Sequence, residues 1–240
     1  MAKTPILDIR NLRLQRGDTH ILNDLNWRVE YGEHWVVLGP NGCGKSTFLK
    51  VLFGLATHHK GTIFHNGADV SGWRTDRLVD RGVAYVPQVD NVFPSLSVRE
   101  NLQMGGIRLT TKKLMPGIER ACEMFPDLEL RMNDLAASLS GGERQMLAIS
   151  RALISNPTFL LLDEPTAALS PRYQQQILEN IDALRGEGIS VLLVEQNARL
   201  SLSRSDRGYI FAGGKVVHSG NAQNILDDPN IGDYFLGLRQ

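Results

Sequence analysis

The sequence has no apolar run approaching the ~20 residues that a membrane-crossing helix needs, so any membrane role has to come through a partner. Its opening stretch, MAKTPILDIRN, lacks the apolar core of a secretory signal, and a soluble cytosolic protein is expected. Cysteine is scarce: Cys43 and Cys122 are too few for a disulfide framework. Net charge is absent as well. The 26 Lys and Arg balance 26 Asp and Glu, which argues against a broad nucleic-acid footprint and leaves only a local basic patch open. No nucleic-acid partner is expected. There is no internal repeat, which excludes a solenoid, and no low-complexity segment. What remains is ordinary globular composition, 42% hydrophobic over 240 residues, the size of one large domain or a domain with a subdomain.

Within that chain, LGPNGCGKSTFLK (38–50) fits the phosphate-binding pattern G-x-x-x-x-G-K-[ST], with Gly39, Gly44, Lys45 and Ser46 in register. The context agrees. HWVVLG before it reads as a short valine-rich strand, and KSTFLKVLFGL after it reads as a helix with Gly54 near its end. Pro40, Asn41, Gly42, Cys43 and Thr47 complete the loop and helix start. Such a loop offers backbone N–H groups and a helix N-terminus to an anion. Lys45 is expected at the β- and γ-phosphates and Ser46 at Mg²⁺. Cys43, beside that helix N-terminus and near Lys45, is expected to sit where thiolate is favoured.

Residues 6–37 read as strands, with Leu25, Trp27 and Val29 alternating as in a half-buried strand. Residues from about 92 to 155 read as mainly helical, an inserted helical subdomain within a single 1–240 domain. After Pro157, TFLLLDE and SVLLVEQ are continuous apolar runs of the kind found in parallel strands covered on both faces. PRYQQQILENIDALRGEG lies between them as a helix, ended by Gly186 and Gly188, which makes a βαβ unit. The fold class expected is α/β: a phosphate-loop core on a mostly parallel sheet, with an N-terminal antiparallel β subdomain and the helical insert.

FLLLDE places Asp163 and Glu164 at the end of a buried strand. Asp163 is expected to orient Mg²⁺ or its water, and Glu164 to act as general base on the attacking water. LSGGERQ (139–145) holds a capping box, Ser140 with Glu143, opening another helix. It also exposes Ser140 and the amides of Gly141 and Gly142 at a helix N-terminus, a second anion site. One triphosphate does not need two such ends in one domain. The second end is therefore expected to serve a nucleotide held by another copy.

Taken in order, GPNGCGKST, YVPQ, LSGGERQ, LLLDEPT and LLVEQN resemble the nucleotide-binding domain of ATP-binding cassette (ABC) proteins over nearly the whole chain. The resemblance implies a head-to-tail dimer sandwiching two ATP molecules, each between the phosphate loop of one copy and Ser140, Gly141, Gly142 and Glu143 of the other. It implies that Gln88 senses Mg²⁺ and water, and that VDNVFPSLSVREN docks a transmembrane permease subunit. The protein would then lie on the cytoplasmic face of the membrane, paired with a second cassette subunit, either identical or a paralogue. VFPSLSVRENLQMGG, DEPTAALSP, VEQNARLSL, DRGYIF and YFLGL resemble the ATPase subunits of importers of branched-chain amino acids and related amides. The tail also resembles the lipopolysaccharide-export ATPase, and GEHWVVLGPNG resembles cassettes linked to molybdate or iron uptake.

Four positions depart from the common pattern, and one of them, Cys43 in the phosphate loop, also reads as a small residue filling a tight turn. Arg16 stands where an aromatic residue stacks on adenine, and a guanidinium stacks differently. Ser170 stands where an aspartate is usual. Gln196 replaces the histidine that contacts the γ-phosphate and the attacking water. A glutamine can donate and accept hydrogen bonds there but cannot exchange a proton near neutral pH. Two other classes remain open. A soluble cassette on ribosomes or DNA usually carries two cassettes or long insertions, for which 240 residues leave no room. A phosphate-loop kinase leaves LSGGERQ unexplained. His58 and His59 lack a second ligand pair, so no metal is expected there.

Overall fold

The computed structural model describes residues 4–56 and 59–235, apart from the side chains of 234 and 235. His58 and the LGL of the YFLGL tail lie outside the described residues. The strands are β1 (Leu7–Arg16), β2 (Thr19–Val29), β3 (His34–Leu38), β4 (His59–His65), β5 (Ala68–Asp69), β6 (Val83–Val86), β7 (Phe159–Asp163), β8 (Ser190–Glu195), β9 (Arg207–Ala212) and β10 (Lys215–Asn221). The helices are α1 (Lys45–Leu52), α2 (Thr75–Asp80), α3 (Val98–Gly105), α4 (Thr111–Met124), α5 (Pro126–Glu129), α6 (Gly141–Leu153), α7 (Pro171–Ala183), α8 (Ala198–Leu202), α9 (Ala222–Leu226) and α10 (Ile231–Phe235). Among the described residues, no helix is long and apolar enough to cross a membrane.

Two sheets carry the architecture. A six-stranded sheet runs β10-β9-β3-β8-β7-β6, and a four-stranded sheet runs β2-β1-β4-β5. In the larger sheet β9, β3, β8, β7 and β6 are parallel, and β10 turns back antiparallel on β9. The smaller sheet is antiparallel throughout. This is the α/β class expected. The antiparallel sheet is not wholly N-terminal, however. β4 and β5 follow α1 and return to pair with β1, while β3 leaves for the parallel sheet.

The apolar runs owe their length to burial on both faces. Side chains alternate across a strand. Leu160 and Leu162 of β7, Val191 and Leu193 of β8, and Val36 and Leu38 of β3 enter one core with Met146, Leu147 and Ile149 of α6 and Ile177 and Ile181 of α7. Their neighbours Phe159, Leu161, Leu192, Val194, Trp35 and Val37 enter a second core with Phe48 and Leu49 of α1 and the antiparallel sheet. Trp27 fastens that sheet to the site. Its ring stacks on Phe48 at 4.8 Å and lies 3.9 Å from the Tyr209 ring. Between β6 and β7 run α3 to α6, packed on each other through Leu102, Ile118, Phe125, Leu128 and Met146. Of the two glycines expected to end α7, Gly188 makes the left-handed stop at φ 74°, while Gly186 lies within a 3₁₀ turn over Leu184–Glu187.

Candidate functional site

The phosphate loop joins the C-terminal end of β3, an interior strand, to α1, and the carboxyl ends of the strands are where open α/β sheets bind ligands. Its tight path needs glycine. At Gly39, a Cβ would lie 2.3 Å from the Phe211 carbonyl oxygen and 2.9 Å from Cys43 Sγ. Gly44 caps α1 at φ 108°, and no acidic side chain stands in the first turn of the helix to compete with an anion. Lys45 is 4% exposed. Its Nζ donates to the Gly39 carbonyl at 2.8 Å and the Pro40 carbonyl at 3.1 Å, and lies 3.8 Å from Glu164 Oε1.

Two acids close the site from β7. Asp163 Oδ1 accepts from Ser46 Oγ at 2.9 Å, and its Oδ2 accepts from Tyr85 Oη at 3.2 Å. Burial pushes the Asp163 carboxyl above the usual carboxylate range, and the bonds from Ser46 and Tyr85 oppose that shift. Tyr85 is itself held neutral, because burial and the neighbouring Asp163 push its phenol upward. Glu164, 7% exposed, adopts a left-handed backbone at φ 47°, and its N–H donates to the Val194 carbonyl at 2.9 Å. That turn presents its side chain to two amides. Glu164 Oε2 accepts from Gln88 Nε2 at 2.8 Å and from Gln196 Nε2 at 2.6 Å. The cleft so formed has a volume of about 570 Å³ and is lined by Asn41, Gly42, Gly44, Lys45, Ser46, Thr47, Gln88, Glu164 and Gln196, with Thr19 and Ile21 from β2.

Sequence reading and structure part company at several residues. Cys43 does not line the cleft: it is 7% exposed and packs in the core beside Phe48. Burial pushes its thiol upward and outweighs Lys45, so the thiolate-favouring environment expected there is not found. Arg16, the last residue of β1, is exposed and outside the cleft lining. Ser140, Gly141, Gly142 and Glu143 open α6 and are not brought to the cleft of their own chain. The capping box is formed there: Glu143 N–H donates to Ser140 Oγ at 3.3 Å, and Ser140 N–H donates to Glu143 Oε2 at 2.7 Å. Ser140 and Gly141 are exposed, and Gly142 is buried. Tyr85 and Glu195 are the residues that sequence reasoning missed. Both lie inside motifs it used, YVPQ and LLVEQN, but nothing in those strings says which way a side chain turns at a strand end.

Comparison with known proteins shows the family of this fold. The family model for ABC transporters matches residues 22–167. The probable branched-chain amino acid transport ATP-binding protein LivF of Archaeoglobus fulgidus is 39% identical over 96% of this chain and 99% of its own. The lipopolysaccharide export system ATP-binding protein LptB of Haemophilus influenzae is 34% identical over 97% of both chains. Among solved structures, the ADP conformation of MJ1267, an ATP-binding cassette of an ABC transporter, superposes with a TM-score of 0.88, covering 97% of this chain and 99% of that one at 24% identity. The chain therefore belongs to the ABC transporter family, as an ATP-binding, ATP-hydrolysing subunit of the kind that dimerises and works with transmembrane permease components.

Proposed function

We propose that the chain powers an importer of branched-chain amino acids or related amides, from the cytoplasmic face of the membrane. One observation carries this reading: the LivF relative is alike over nearly the full length of both chains. A second reading, lipopolysaccharide export, draws on the LptB relative and on the YFLGL tail. Gln196 favours the first, because the export ATPases usually keep histidine at that position.

In this reading ATP lays its phosphates on the loop N–H groups of residues 41–47 and on the positive end of α1. Lys45 exchanges the Gly39 and Pro40 carbonyls for the β- and γ-phosphates. Ser46 Oγ and Asp163 Oδ1, 2.9 Å apart, are the hard oxygen donors that suit Mg²⁺, and Gln88, bonded to Glu164, is the third residue that would face the ion. Bound there, the ion would offset charge on the phosphate oxygens. Glu164 takes the proton from the attacking water as the bond from the γ-phosphorus to the leaving ADP oxygen breaks. Gln88 and Gln196 hold its carboxylate and the water in line. Ser140, Gly141, Gly142 and Glu143 reach the nucleotide of a second copy or a paralogue, and Arg16 lies near adenine. Permease subunits dock at the segment after Gln88.

The test is reconstitution of the chain in proteoliposomes with the permease subunits and binding protein of a branched-chain amino acid importer that co-purify with it. Leucine, isoleucine or valine, presented with the binding protein, should stimulate phosphate release. Stimulation by lipopolysaccharide instead would establish the second reading.

A further inference from the structure

Glu195 is a carboxylate with no assigned task. It ends β8, is 3% exposed, and has no basic side chain within salt-bridge distance among the described residues. Taking such a group out of water is costly unless hydrogen bonds replace the lost solvation. Here they do, and they come from two loops. Oε1 accepts from the Thr166 N–H at 3.0 Å and from Thr166 Oγ1 at 2.7 Å. Oε2 accepts from the Gln196 N–H at 3.2 Å. Thr166 lies two residues beyond Glu164, and Gln196 is the residue whose side chain donates to Glu164 at 2.6 Å. One buried carboxylate thus ties the turn after β7 to the turn after β8, and the tie closes on the carboxylate of Glu164.

We propose that Glu195 is a positioning residue for ATP hydrolysis, which fixes the Gln196 amide on Glu164 by clamping Thr166 and the Gln196 backbone between its two oxygens. The proposal rests on the role given to Gln196 above. The clamp needs two acceptor oxygens. A glutamine at 195 has the same shape but offers one oxygen and one NH₂. Whichever way that amide turns, an NH₂ faces either the Gln196 N–H or the Thr166 N–H, donor against donor.

The experiment is a double-mutant cycle on steady-state phosphate release by the full-length chain with Mg-ATP, with nucleotide affinity measured on each variant. E195Q should lower kcat about 10-fold, the scale of one misaligned hydrogen bond in the transition state, with ATP affinity within about twofold of wild type. In the Gln196→Ala background, E195Q should cost nothing further, because the amide it positions is gone. Thr166→Val, which loses one donor and keeps its shape, should slow turnover by a smaller factor, and Thr166→Ser should restore it. That pair decides the matter if E195Q does not fold. Wild-type kcat in E195Q, an undiminished loss in the Gln196→Ala background, or equal turnover in the two Thr166 variants would overturn the proposal. Gln196→Ala at wild-type turnover would instead remove the reading of Gln196 itself.

Discussion

At the scale of the residue, the polar contacts of Lys45, Gln88 and Gln196 gather on Glu164. Its left-handed backbone is an uncommon state for a side chain other than Asn or Asp, held here by the N–H bond to Val194. Glu164→Gln keeps that shape and the two amide neighbours but loses the basic oxygen. Turnover should fall by ~10²–10⁴-fold while ATP binding persists. Near wild-type hydrolysis in that variant would take the general-base role away from Glu164. Cys43 leads to the opposite kind of expectation. With its thiol buried and pushed up, brief treatment of the native protein with a maleimide should leave Cys43 unlabelled by mass spectrometry. Rapid labelling would put the side chain on an open path to solvent. These two residues also show what was legible. Lys45 and Ser46 could be named from the spacing of the phosphate-loop pattern, and Asp163 and Glu164 as the acidic end of a buried apolar run; the fold brings the four side chains together. The setting of Cys43 could not, because nearness to Lys45 along the chain says nothing of burial, and here desolvation exceeds the attraction of the ammonium.

At the scale of the element, the buried strands read clearly because both faces are apolar, so β3, β7 and β8 appear as unbroken runs. β4 read poorly. HKGTIFH is short, carries Gly61, and ends in histidines that a sequence reader takes for loop. It is a strand because β1 pairs with it along most of its length. The ends of these strands hold a pH liability. His65 of β4 is 1% exposed, its ring stacks near Phe159, and neither ring nitrogen has a hydrogen-bond partner. Burial lowers its pKa to about 4, and burial likewise lowers that of His34 on β3 to about 4. Above pH ~6.5 both rings are neutral folded and unfolded, and no penalty arises. As pH falls below ~6.5 the unfolded chain takes up protons that the folded chain refuses, so stability drops until pH approaches the folded value. By pH ~5 each histidine should cost about 2 kcal/mol. His65→Phe keeps an aromatic ring against Phe159 and removes the proton. Urea midpoints at pH ~7.5 and ~5 should therefore lie closer together in His65→Phe than in the parent. An unchanged gap would mean that His65 does not titrate as its burial requires.

At the scale of the whole molecule, the two surfaces that the proposed function gives to nucleotide belong to one chain but do not meet in it. The loop before α1 opens on the cleft, while the N-terminus of α6 presents Ser140 and Gly141 to solvent. Beneath them Gly142 is closed in: an added Cβ would lie 2.4 Å from the Tyr173 ring, so α6 packs closely against α7 at this point. In the head-to-tail pair proposed above, the two surfaces would come together from different copies. That arrangement makes a prediction that separates it from a signature acting within its own chain. In the Glu164→Gln background, where hydrolysis cannot dissolve the product of ATP binding, Mg-ATP should move the protein to twice its apparent mass on size exclusion. Adding Ser140→Arg puts a bulky cation at the mouth of α6 and removes the capping hydroxyl, at a cost of about 1 kcal/mol to the helix. Because Ser140 is exposed, the fold should survive this. The ATP-driven dimer should vanish, while the affinity of the monomer for ATP, read with a fluorescent analogue at low protein concentration, stays within about twofold. If monomer affinity instead fell as steeply as dimer formation, Ser140 would be touching the nucleotide of its own chain, and the second anion site would belong to the first.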